Sequence, residues 1–121
     1  MLNDLNPEKK DVLNNKIKPH FNENRMGYIK VPTGWGKTFL AKHIMKEYCE
    51  NGKVVLFVTS MNVQLLEQTA YIDINNKKKL FQNSLVLSSK DEKISIEDLI
   101  EKITNRKSGI VIFASLQTIN S

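Results

Sequence analysis

The sequence predicts an α/β fold, a parallel β-sheet with helices on both faces and right-handed crossovers, and three observations carry that expectation. Strand-length apolar runs alternate with amphipathic stretches in the order helix, then β-α-β-α-β-α-β. The run Val54 to Val58 is continuously apolar, the pattern of a strand covered on both faces. A glycine-rich turn, Val31-Pro32-Thr33-Gly34-Trp35-Gly36-Lys37-Thr38, joins a short apolar run to an amphipathic helix at a strand's carboxyl end, where sheets of this class bind ligands.

Taken in order, Asn6-Pro7 is an N-cap followed by a proline suited to the first helical turn, and Val12, Leu13 and Ile17 form an apolar stripe. A helix near 7–18 is expected. Tyr28, Ile29 and Val31 suggest a short buried strand leading into the glycine-rich turn. The next helix, from about Lys37 to Glu50, turns Leu40, Ala41, Ile44, Met45 and Tyr48 inward and Lys42, Lys46, Glu47 and Glu50 outward, and Asn51-Gly52 stops it. After the strand Val54 to Val58, Asn62 caps a third helix through Leu65, Leu66 and Ala70. The tract Asn75-Asn76-Lys77-Lys78-Lys79 reads as an exposed loop, and Ser84 to Leu87 as a strand. Ser95-Ile96-Glu97-Asp98 resembles a capping box, opening a helix with Ile96, Leu99, Ile100 and Ile103 at i, i+3, i+4 and i+7. Ser108-Gly109 then precedes the last strand, Ile110 to Ala114.

The glycine-rich turn has the chemistry of a phosphate-binding loop. Gly34 and Gly36 let the backbone bend so that amide N–H groups converge on an anion, and a side chain at either would obstruct that approach. The helix that follows adds unpaired N–H groups and the positive end of its dipole. Lys37 is placed to reach the β and γ phosphates, and the Thr38 hydroxyl to take one coordination position on Mg²⁺. The strict pattern carries Gly where this chain has Val31.

At 121 residues, 40% apolar and 26% charged, the chain has the composition of one soluble globular domain. Its net charge of +5 permits a polyanionic partner, and a solvated lysine surface accounts for it equally well. One cysteine, Cys49, excludes an intrachain disulfide and a cysteine-cluster zinc site, and His20 and His43 add no metal-ligand constellation. No apolar stretch approaches membrane-spanning length and no signal-peptide core is present, so a soluble cytoplasmic protein is expected.

With the three strand ends in place, the chain resembles the first motor domain of a superfamily 2 helicase, near the DEAD/DEAH-box and type III restriction-subunit branch. Pro32-Thr33-Gly34-Trp35-Gly36-Lys37-Thr38 is similar to motif I of that family. Val55-Leu56-Phe57-Val58 with Leu65-Leu66-Glu67-Gln68 is similar to motif Ia, without the proline usual after the strand. Ile112-Phe113-Ala114-Ser115-Leu116-Gln117-Thr118 is similar to a later Ser/Thr-x-Gln segment, whose family role is to contact the backbone of the bound strand. The resemblance implies an incomplete RecA-like, P-loop NTPase domain, with residues 1–121 as its amino-terminal part. It further implies ATP and Mg²⁺ at residues 32–38, and DNA or RNA at Thr59, Ser60, Ser115 and Gln117.

The departures from the family pattern shape the functional expectation. Leu5-Asn6-Pro7-Glu8-Lys9 stands where the family often has Leu-Arg-Pro-Tyr-Gln, so Lys9 replaces a Gln that reads adenine. The Asp-Glu box that holds Mg²⁺ and activates water belongs after the Ser115 segment, and Asp91-Glu92 reads instead as an exposed acidic pair before a helix. The expected function is therefore nucleotide binding by a helicase or translocase motor that acts with a remaining motor domain or partner chain, without hydrolysis by this chain alone. The alternative is a short, non-hydrolytic regulatory module that binds nucleotide or nucleic acid; a small phosphotransferase is disfavoured for want of an acceptor-binding carboxylate. Trp35 is read as a large exposed side chain, with stacking on a base as the alternative, and His43 as solvated. Cys49 and Met45 fit the apolar stripe, and Lys77, Lys78 and Lys79 a solvated loop. The strand before the phosphate loop is expected to have an unpaired edge, leaving the chain marginally stable or self-associating.

Overall fold

A computed structural model describes residues 2–59, 63–87 and 94–115. They divide into two compact units, Leu2–Ile44 and a second beginning at Met45.

In the first unit, Asn6 caps α1 (Pro7–Val12) by accepting the Lys9 N–H on its side-chain oxygen at 2.9 Å, with Pro7 in the first turn as expected. The helix does not stop near residue 18. It passes through a π-helical segment, Leu13–Ile17, and continues as α2 (Lys18–Glu23). The widened turn has a local reason. Pro19 has no N–H and its ring clashes with the carbonyl four residues earlier, and the π segment, closed by the Lys18 N–H on the Leu13 carbonyl, carries the chain past it. Leu5, Leu13 and Leu40 form the core of this unit, with Val12, Ile17, Trp35, Phe39 and Ile44 packed around them.

The strand expected at Tyr28 to Val31 is not formed. Tyr28 is 93% exposed, Ile29 is exposed, and the segment has no ladder partner among the described residues. Three apolar residues cannot make a strand without neighbouring backbone to receive their hydrogen bonds. The segment is tied down instead by the His20 ring, whose Nε2 donates to the Met26 carbonyl at 2.7 Å.

The unit boundary falls inside α3 (Lys37–Glu50), whose ends agree with the sequence. Its carboxyl end is a Schellman motif, with Lys53 N–H bonded to Tyr48 O, Gly52 N–H bonded to Cys49 O, and Gly52 at φ 79°. Leu40 and Met45 are buried as expected. Tyr48 is exposed, contrary to expectation, and Lys42 is half-buried, which pushes its ammonium pKa down.

The second unit holds a parallel sheet of β1 (Val54–Thr59), β4 (Ser84–Leu87) and β5 (Ile110–Ser115) in the order β1-β5-β4. Val54 faces Ile110 through to Thr59 facing Ser115, and Ser84 faces Val111 through to Leu87 facing Ala114. Helices α4 (Val63–Ala70) and α5 (Ile96–Thr104) complete the α/β arrangement of a parallel sheet flanked by helices, as the sequence predicts. α4 packs Leu66 and Ala70 into the core. Asn62, its expected cap, lies outside the described residues. Ser95 caps α5 by accepting the Asp98 N–H at 3.1 Å.

Among the described strands, only the central one is buried at every position. Every residue of β5 is buried, and Phe113 is flanked by Phe57 at 5.8 Å and Phe81 at 6.3 Å between ring centroids. β1 is an edge strand, and its alternate residues Val54, Leu56 and Val58 are exposed, which corrects the expectation that this run is buried on both sides. The lysine tract is not a plain loop either. β2 (Tyr71–Asp73) pairs antiparallel with β3 (Lys78–Lys79) around a turn that Asp73 organises through Asn76. These bonds hold the Asp73 carboxyl below its usual pKa.

Candidate functional site

The glycine-rich turn lies in the first unit, and its shape follows from its own residues. Trp35 N–H bonds to the Pro32 carbonyl at 3.1 Å, closing a four-residue turn whose third member, Gly34, has φ 83°. That is the left-handed position a type II turn reserves for glycine. Gly36 follows at φ 98°, and its carbonyl accepts the first helical N–H, from Leu40 at 3.0 Å. Both glycines thus occupy backbone that a side chain would strain. Lys37 and Thr38 form the first turn of the 14-residue α3, Lys37 exposed and Thr38 half-buried. The free N–H groups of that turn make an anion-favouring end, and a lysine and a hydroxyl stand beside it.

Trp35 does not lie free in solvent. It is half-buried against the Leu5, Leu13 and Leu40 core and donates its indole N–H to Glu8 Oε1 at 3.2 Å. Lys9 Nζ sits 4.7 Å from the centroid of the indole ring, in cation–π contact. The Lys9 stem also reaches Gly36, where an added Cβ would meet Lys9 Cε at 2.9 Å and Nζ at 3.5 Å. Helix α1 therefore brackets the turn through Glu8 and Lys9. This neighbourhood joins residues more than twenty-five positions apart, and its only local sign is the Asn6-Pro7 start that aims the helix. His43 is half-buried rather than solvated, its Nε2 donating to the Asn3 carbonyl at 2.7 Å and its ring edge-on to Phe39.

At the strand ends, Thr59 and Ser115 face one another in register on β1 and β5. Their exposures are 7% and 2%, so both side chains are buried. Ser60 and Gln117 lie outside the described residues, as do Asp91 and Glu92. Lys79 donates to the Ser84 carbonyl at 2.8 Å. Burial and the Glu50 carboxylate push the Cys49 thiol up, away from the reactive thiolate.

Two cavities open elsewhere. One of 660 Å³ lies between β4 and α5, and one of 390 Å³ lies among Val12, Ile17, Phe21, Tyr28, Ile29 and Ile44. Neither is lined by a residue of 32–38. Among the described residues there is no group of three or more His, Cys, Asp or Glu able to hold a metal, and no helix is long and apolar enough to cross a membrane.

No curated protein sequence matches the chain significantly. Among solved structures, a nuclease-deletion mutant of the type ISP restriction-modification enzyme LlaGI, determined in complex with a DNA substrate mimic, is similar at 22% identity with a TM-score of 0.70. The alignment covers 97% of this chain and 13% of that one, so the chain spans a small part of that enzyme and shares the fold of that part. The family model described as the type III restriction enzyme, res subunit, matches residues 3–121, and the chain therefore belongs to that family, with the motor-domain-like architecture of superfamily 2 helicases.

Proposed function

We propose that this chain is the amino-terminal part of a helicase or translocase motor domain and binds the polyphosphate of a nucleotide at Pro32, Thr33, Gly34, Trp35, Gly36, Lys37 and Thr38. The observation that carries this reading is the pair of left-handed glycines, Gly34 and Gly36, the second of which opens α3. The residues fit a triphosphate with Mg²⁺. The backbone supplies N–H donors, Lys37 a mobile positive charge, and Thr38 a hydroxyl of the type that coordinates Mg²⁺. ATP is the nucleotide proposed, in keeping with the family's association with ATP-dependent helicases.

Hydrolysis is not proposed for the chain alone. Turnover requires a carboxylate aimed at the metal and water, and Glu8, which lies against the turn, is engaged by the Trp35 indole N–H. The remaining motor domain or a partner chain would supply it, in a soluble cytoplasmic setting. A nucleic-acid partner is proposed on the likeness to a restriction enzyme solved with a DNA substrate mimic. Thr59, Ser60, Ser115 and Gln117 are its candidate contacts. With the Thr59 and Ser115 hydroxyls buried, those two would act by fixing where the strand ends deliver the residues that follow. Such contacts read backbone and not bases, so binding would be weak, indifferent to sequence and salt-dependent.

Calorimetric titration with Mg-ATP tests the nucleotide site. Lys37→Ala removes charge-assisted contacts worth about 1.5–3 kcal/mol each, and a matching loss of affinity is expected. Equal affinity in wild type and variant contradicts the assignment. Robust turnover by purified chain, abolished by Lys37→Ala, contradicts the non-hydrolytic part of the reading.

A further inference from the structure

We propose that Lys9 is a second phosphate-contacting cation of the loop, held ready on the face of Trp35. The inference rests on the nucleotide reading above and names a residue outside the 32–38 turn.

The geometry that points to it lies within the first unit. The Lys9 ammonium is 4.7 Å from the Trp35 ring centroid and 3.5 Å from where a Cβ on Gly36 would stand. It is therefore beside the residue that opens α3, in the part of the loop where an anion gains most from the helix end. Glu8, its neighbour in sequence, is engaged by the Trp35 indole N–H. Lys9 lies on the face of the indole and Glu8 at its N–H edge, so the two side chains meet the ring at different places. An ammonium on a π face turns part of its N–H donors to the ring and keeps the rest for an anion, and the hold is weak enough, about 0.5–2 kcal/mol, to yield to one. Three features keep Lys9 in place. Its backbone N–H is fixed by the Asn6 cap, its stem lies against Gly36, and its head lies on Trp35. Trp35 is anchored in turn by the unit's core and by Glu8, which makes it a platform for the lysine and leaves less of its face for a base.

The recognised group is the polyphosphate, so the contact does not depend on the base. This separates the proposal from a role in reading purines. The test is a pair of calorimetric titrations on the full 121-residue chain, one with Mg-ATP and one with inorganic tripolyphosphate, for wild type, Lys9→Met, Lys9→Arg and Lys37→Ala. Lys9→Met keeps the apolar stem against Gly36 and removes the charge, and circular dichroism confirms that it folds. Loss of one charge-assisted contact is expected to weaken both ligands roughly ten- to hundred-fold in Lys9→Met, with Lys9→Arg close to wild type. Tripolyphosphate affinity unchanged in Lys9→Met, while Lys37→Ala loses it, overturns the Lys9 role and leaves the loop assignment standing. A loss for Mg-ATP alone makes Lys9 a base or ribose contact and also overturns it. Failure of the wild type to bind either ligand overturns the loop assignment and this proposal together.

Discussion

Two segments rich in apolar residues meet opposite fates. β5 is buried at every position between two parallel neighbours, whereas Tyr28, Ile29 and Val31 pair with no strand among the described residues, and Tyr28 is almost fully exposed. The difference is not explained by residue type, since both carry β-branched and aromatic side chains. It lies in the supply of backbone partners. β5 exchanges hydrogen bonds with both β1 and β4, and its Phe113 then packs against Phe57 of β1 and Phe81 on the approach to β4. The glycine-rich turn nevertheless keeps its shape directly after the Tyr28 segment. Its backbone shape follows from one turn hydrogen bond, two glycines and a helix start within Pro32 to Leu40, and Glu8 and Lys9 brace it from α1. In this chain, burial of a strand depends on its ladder partners, and the backbone bend of the candidate site depends on a few consecutive residues.

The largest expected effect breaks the ladder side of that comparison. Phe113→Ala empties a fully buried site between two rings and is expected to destabilise the chain by about 3–5 kcal/mol, read by chemical denaturation. Gly109→Ala comes next. A Cβ there would collide with the Cys49 carbonyl oxygen, so the end of α3 must move away from the start of β5, at a cost of about 1–3 kcal/mol. Ser95→Ala removes the one side-chain cap of α5, whose Ile96 and Ile100 are 73% and 56% exposed and lend it little packing support. About 1 kcal/mol is expected, seen first as faster amide exchange in α5. The smallest effect belongs to the unpaired segment: Tyr28→Ala should change stability by less than about 0.5 kcal/mol. A Tyr28→Ala penalty as large as that of Phe113→Ala would show that the two segments are not different in kind.

The features legible in the sequence are those with short-range causes. The Asn6-Pro7 start, the Lys37 to Glu50 helix with its Gly52 stop and the Ser95 cap each depend on residues within one turn of one another, and the structure places them as read. The glycines of the loop were legible for the same reason. What was not legible depends on distant partners. Coverage of β1 is decided by its place at the sheet edge, and Lys78–Lys79 becomes a strand because Tyr71–Asp73 lies opposite, with no apolar alternation to announce it. The helix that outlasts Pro19 does so through a π turn that periodicity does not encode. The Glu8 and Lys9 contacts with Trp35 join the start of the chain to the loop, and the exposed reading of Trp35 failed because the packed core beneath it is assembled from three separate stretches.

The most direct test of the central claim is a two-dimensional amide NMR titration of isotopically labelled chain with Mg-ATP. Localised nucleotide binding predicts that the largest shifts fall on Gly34, Gly36, Lys37, Thr38 and their neighbours in the first turn of α3, and that they vanish in Lys37→Ala. Shifts centred on the cavity between β4 and α5, or no shifts at millimolar nucleotide, would contradict it.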